Sequence, residues 1–148
     1  PAFFIEAADF IKGFADGCHH RKEEEHLFPA MEEAGFPRFG GPIGVMLGEH
    51  DDGRRYTAGL RAAAERLAAG DQAAATEVVE NARGYVELLR QHIMKEDNVL
   101  FTMAKRALPP EVQDELLQAF ERVEREDPTH DKWLALVDKL EKEAAAMK

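Results

Sequence analysis

Apolar residues recur every three or four positions along three long segments of this chain, and partway along each one the stripe is interrupted by histidine or by histidine and glutamate. Residues at that spacing share one face of a helix. The pattern predicts three long helices, each burying one face, with polar groups set inside the buried faces. In the first segment the ladder runs Phe4, Ala8, Ile11, Ala15, His19, Glu23, Leu27, Ala30. In the third it runs Ala82, Tyr85, Leu89, His92, Glu96, Val99, Met103. The second carries Ile43, Met46, Leu47, His50, Thr57, Leu60, Ala64 and Leu67, with Gly53 and Arg54 one turn after its histidine.

Ala, Leu, Glu, Lys and Arg dominate, and β-branched runs are absent, so nearly every periodic segment favours helix. The first helix is expected from about Phe3 to Glu33, with Pro29 able to kink it. A loop holding Gly35, Pro37, Gly40 and Gly41 follows. The second helix is expected from Pro42 to about Ala69, stopped by Gly70. Asp71 can cap a third helix that reaches Ala107. Pro109 and Pro110 end it and open a shorter helix through about Arg125. Asp127 and Pro128 break the chain again, and Thr129 can cap a last helix reaching toward Ala146. No low-complexity linker divides the 148 residues, so the reading is one domain over 1–148. Residues 1–107 carry the polar stripes and 108–148 form a C-terminal helical extension.

The composition, 45% hydrophobic and 32% charged, suits a folded domain. A net charge of -10 without a basic block argues against binding to nucleic acid or an anionic membrane. No apolar run is long enough to span a bilayer, and no secretory signal is visible. The single cysteine, Cys18, excludes an internal disulfide and a Cys-rich zinc site, and the expected compartment is the cytoplasm.

Two carboxylates and three imidazoles on core-facing stripes carry a large desolvation cost, several kcal/mol for one unpaired carboxylate. A metal ion compensates such a cluster best, since it binds neutral imidazole and ionised carboxylate together. Side chains at i and i+4 lie about 6 Å apart along the helix axis, so both can converge on one centre. Nitrogen and oxygen donors without thiolate suit iron, manganese or zinc.

The two His/Glu sites also resemble each other. Residues 19–28 read HHRKEEEHLF and residues 92–101 read HIMKEDNVLF. The alignment pairs His19 with His92 and Glu23 with Glu96, and selects His19–Glu23 over His20–Glu24. Together with EHDDGR at 49–54, these motifs resemble the hemerythrin family, in its HHE cation-binding branch, over roughly residues 1–107. The resemblance implies an all-α, up-and-down helical bundle holding two iron ions, with an oxo or hydroxo bridge as one form. Manganese and zinc are the lesser occupants. By resemblance, His19, His50 and His92 are terminal ligands, and Glu23 and Glu96 bridge the irons. Two departures stand out. The family's first helix, with its own ligand histidine, does not precede Phe3, and Arg54 stands where oxygen carriers place a second histidine after His50. The expected fold therefore lacks that first helix and adds two C-terminal ones.

Fewer protein ligands leave room for water, O₂, peroxide or NO, and His20 could fill one vacancy. The expected function is a non-haem di-iron protein that binds or reacts with such ligands. Its enzymatic form would remove peroxide, like a catalase, or act as another di-iron oxidoreductase. Iron sensing or storage, and a metal-free structural bundle, are the alternatives. The open side of the bundle calls for a cover: an N-terminal helix, the C-terminal helix bearing His130 and Trp133, or a second copy in a homodimer. Of the remaining groups, Tyr85 reads as a core aromatic, Cys18 as a small apolar residue and His130 as a packing or capping residue. Glu24 and Glu25 read as a solvated face, and Arg54 as a partner for a core carboxylate or Asp51.

Overall fold

The computed structural model describes residues 1–146. They form five helices: α1 (residues 2–33), α2 (Pro42–Ala68), α3 (residues 74–107), α4 (Pro110–Glu126) and α5 (His130–Ala146). There is no strand among the described residues. The predicted boundaries agree to within a few residues, because the stop signals act as read. Gly35 and Gly70 adopt φ of +96° and +102°, the left-handed region in which only glycine is unstrained. After each, the next N–H reaches five residues back, Phe36 to the Met31 carbonyl and Asp71 to the Arg66 carbonyl, which closes the helix end. The Asp71 carboxylate accepts the Ala73 N–H at 3.1 Å in the turn that leads into α3, two residues ahead of the N-cap position at Ala73.

The helices are not uniformly α. In α1 the segments Ile11–His20 and Glu23–Leu27 are π-helical, and in α3 so is Glu96–Leu100. The two short π segments begin at Glu23 and Glu96, at equivalent places in the sequence repeat. A π turn bonds i to i+5 and inserts a residue, so side chains beyond it slip round the axis by about 100° relative to an α ladder. Here the α-periodic expectation fails by one residue. Leu100 is buried and Val99 is exposed, whereas the ladder placed Val99 inward. In α1 the slip exchanges His19 for His20.

Helices α1, α2 and α3 pack together, with α2 and α3 joined by the short connection after Gly70. Their apolar faces form two separate layers. One holds Leu27, Phe28, Met31, Ile43, Met46 and Leu100. The other holds Ala8, Leu60, Ala63, Ala64 and Val78. The polar stripes lie between them.

Helix α4 rests on the Glu23–Leu27 turn, and α5 runs along the N-terminal half of α1 in the opposite direction. Lys139 pairs with Glu6 at 2.6 Å at one end, and Trp133 seats on Gly13 further along. The C-terminal helix thus covers one flank of α1, while Val86, Ile93 and Met94 of α3 stay exposed.

The seat of α5 is open to test. A Cβ at Gly13 would lie inside the Trp133 indole, whereas one at Gly17 meets only the Lys12 carbonyl, at 3.4 Å. Gly13→Ala should cost about 1–3 kcal/mol by overpacking and shift the emission of the chain's single tryptophan to the red. Gly17→Ala should leave emission unchanged and stabilise by up to about 1 kcal/mol through helix propensity. Unshifted emission in Gly13→Ala would show that α5 does not sit there.

Candidate metal centre

Between the two apolar layers, α1 contributes His20 and Glu23, α2 contributes His50, and α3 contributes His92 and Glu96. All five are buried, none more than 7% exposed. Donor atoms of Glu23, His50, His92 and Glu96 lie within 4.8 Å of one another, as do those of His20, His50 and His92. The His20 and His50 rings stack at 3.9 Å, and His50 meets His92 edge-on at 4.9 Å.

The inner atoms are close but unbonded. His50 Nε2 lies 3.2 Å from Glu23 Oε2, and His92 Nε2 lies 2.8 Å from Glu96 Oε1. Neither pair is aligned as a hydrogen bond. Both Glu23 oxygens, Glu96 Oε1 and the Nε2 atoms of His50 and His92 are buried without a hydrogen-bond partner. Leaving such groups unpaired is costly in an interior that satisfies nearly all its polar atoms.

The outer nitrogens are bonded. His50 Nδ1 meets Glu24 Oε1 at 2.7 Å, His92 Nδ1 meets Glu49 Oε2 at 3.0 Å, and His20 Nδ1 meets Asp16 Oδ1 at 3.4 Å. Each carboxylate is held in turn by a cation. Arg54 grips Asp16 and Glu24, at 2.6 and 2.7 Å, and Lys95 pairs with Glu49. A carboxylate on Nδ1 places the ring proton there and leaves Nε2 with its lone pair free.

Burial opposes charge at Glu23, Glu96, His20 and His92. For Glu96 the imidazoles of His19 and His92 outweigh it and hold the carboxyl well below the usual carboxylate range. Glu23 is pushed up, by burial and by the nearby Glu96, with only partial relief from His50. Burial and the neighbouring imidazoles push His20 down to about 3, so the ring is neutral. At His92 burial is outweighed by Glu96 and Glu49, which raise its pKa. Unpaired imidazole nitrogens and carboxylate oxygens facing one region form a donor set that fits a bound cation.

Of the residues singled out from sequence, the structure brings together Glu23, His50, His92 and Glu96. The inward facing of His19 needs correction. Its side chain is 46% exposed, and its Nε2 sits 3.6 Å from Glu96 Oε1, at the edge of the cluster. His20 takes the buried place because the π segment Ile11–His20 advances the face by one residue. Glu24 is not a solvated bystander but the partner of His50. Asp16 and Glu49 were missed; Asp16 lies one turn before His20, a spacing that could have suggested it. Arg54 holds both a partly buried carboxylate pair and Asp51, at 3.0 Å. Tyr85 is buried beside His20, His50 and His92.

The family model for the hemerythrin HHE cation binding domain matches residues 4–104. The uncharacterized protein Rv1995 of Mycobacterium tuberculosis is 27% identical over 135 residues, covering 91% of this chain and 52% of that protein. A Mycobacterium bovis protein, Mb2018, also uncharacterized, matches to the same extent. The iron-sulfur cluster repair protein YtfE of Dickeya chrysanthemi is 32% identical over 90 residues, covering 60% of this chain and 41% of its own length. The chain thus spans about half the length of the curated relatives it matches. No solved structure matches it. The match takes in α1, α2 and nearly all of α3, the helices that converge on the buried His/Glu cluster, and it places this chain in the hemerythrin HHE cation-binding family.

Proposed function

We propose that this domain holds a carboxylate-bridged pair of irons between α1, α2 and α3 and uses it to bind or react with O₂, peroxide or NO. The observation that carries this reading is the two-sided state of the imidazoles. Each outer nitrogen is satisfied by a carboxylate, while the buried inner nitrogens of His50 and His92 face unpaired carboxylate oxygens. Glu23 and Glu96 would bridge. His20, His50 and His92 would ligate from one flank, and His19, beside Glu96, from the other. Bound iron would supply open coordination positions and exchangeable electrons to a small ligand.

The chain's own residues do the rest. Arg54 and Lys95 hold the carboxylates that fix the imidazole tautomers. Phe28, Met46 and Leu100 close one end of the centre against water. A cleft of about 430 Å³ between α1 and α2, lined by Ala8, Ile11, Thr57, Tyr85 and His20, gives small molecules a largely apolar approach. The Tyr85 hydroxyl, pushed up to about 12 by burial, keeps its proton there at neutral pH. A free, buried thiol at Cys18 is consistent with a cytoplasmic setting.

Iron storage or sensing is the second reading; the Dickeya relative is named an iron-sulfur cluster repair protein, a role that concerns iron and not the carriage of oxygen. Rapid O₂ evolution from peroxide would identify a catalase-like enzyme, and reversible O₂ or NO spectra without turnover a binding protein. Loss of fold on chelation with neither behaviour would identify storage or sensing.

Glu23→Ala or Glu96→Ala should lower iron content from about two per chain to one or none. Full retention in both variants would reject bridging. His19→Ala and His20→Ala should each reduce iron content, and unchanged iron in His20→Ala would return the ligand role on α1 to His19 alone. Arg54→Ala should weaken iron about 10–100-fold in chelator competition, through the loosened Asp16 and Glu24. Unchanged affinity would show that these carboxylates need no such support.

A further inference from the structure

A second group of donors lies on the opposite side of α1. Cys18, Asp127 and His130 present a sulfur, a carboxylate oxygen and an imidazole nitrogen within 4.8 Å of one another. Cys18 is 2% exposed. His130 Nδ1 is buried and has no hydrogen-bond partner, although its ring packs against Phe14 at 5.9 Å. Asp127 Oδ1 accepts the N–H and hydroxyl of Thr129, at 2.8 and 2.5 Å, which fixes the carboxylate and leaves its other oxygen available. The cations that act on Cys18, Lys22 and Arg21, are matched by ion pairs with Glu124 and Glu25, so they do not empty the site by repulsion.

We propose that Cys18, Asp127 and His130 form a second metal site for Zn²⁺ or a similar divalent cation, separate from the His/Glu centre. One thiolate, one imidazole and one carboxylate make a donor set that zinc takes readily, with a fourth position left for water. The thiolate sets this site apart from the oxygen and nitrogen donors of the first. On binding, the Cys18 thiol releases its proton to solvent as the sulfur–metal bond forms, and no group changes oxidation state. The ion would bolt the α4–α5 turn, through Asp127 in it and His130 at the start of α5, onto α1. Cys18 lies in the same π segment as His20, so the bolt also holds the stretch of α1 that presents His20 to the first centre.

The test is to titrate the reduced, metal-free full chain with Co²⁺. A near-ultraviolet thiolate-to-cobalt band should grow and saturate at the amplitude of one thiolate ligand per chain, and Zn²⁺ should abolish it by displacement. The His/Glu centre has no thiolate, so the band reports the second site whether or not the first binds iron. Cys18→Ser, nearly isosteric, should eliminate the band, and His130→Ala and Asp127→Asn should each weaken Co²⁺ binding by at least about tenfold. Zinc-edge X-ray absorption of the unaltered protein should show one sulfur at about 2.3 Å among nitrogen and oxygen ligands, a readout that needs no variant to fold. Absence of the band and of sulfur coordination would overturn the proposal. So would a band that survives both His130→Ala and Asp127→Asn, since it would come from an opportunistic thiol.

Discussion

The fold turns on one electrostatic constraint: two carboxylates and three imidazoles share a space from which water is excluded by apolar layers at both ends. Such a cluster persists only when its charges and lone pairs find partners. The outer half finds them within the chain. Asp16, Glu24 and Glu49 take the ring N–H groups, and Arg54 and Lys95 neutralise those acids. The inner half does not, and that asymmetry separates a ligand cage from an ordinary buried polar network. Within a satisfied network the same residues would pair with one another. Here the geometry turns the inner atoms of neighbouring groups close together but out of hydrogen-bond alignment.

Arg54 has a particular place in this arrangement. Oxygen-carrying relatives in the family pattern use the fourth residue after the α2 histidine as a ligand. In this chain that position instead supports two imidazoles indirectly, His20 through Asp16 and His50 through Glu24. A cation that orients two imidazoles thus stands where the resemblance implies a ligand, and the cleft along α1 and α2 reaches it and His20.

Much of this was legible in the sequence, and the reasons are physical. Helix ends announce themselves through Gly35, Gly70, Asp71 and the proline pair at 109–110, since each removes or supplies a specific backbone bond. Of the α2 stripe Ile43, Met46, Leu47, His50, Thr57, Leu60, Ala64 and Leu67, all are buried except Leu47 and Leu67, which are half-buried, because α2 is α-helical throughout. Errors cluster where the helix is not α. A strict α period faces His19 and Val99 inward, but π turns interrupt it, and the buried residues are His20 and Leu100. Side-chain partners across helices, such as Glu49 with His92, depend on which faces meet, and no spacing along one helix encodes that.

A coupled pair of irons between Glu23 and Glu96 has a distinct signature in the Mössbauer spectrum of the chain reconstituted with isotopically enriched iron. In oxidised protein nearly all the iron should give quadrupole doublets from a diamagnetic, spin-coupled ground state at low temperature. A magnetically split spectrum of isolated high-spin ferric ions, or iron that is lost on desalting, would contradict such a pair.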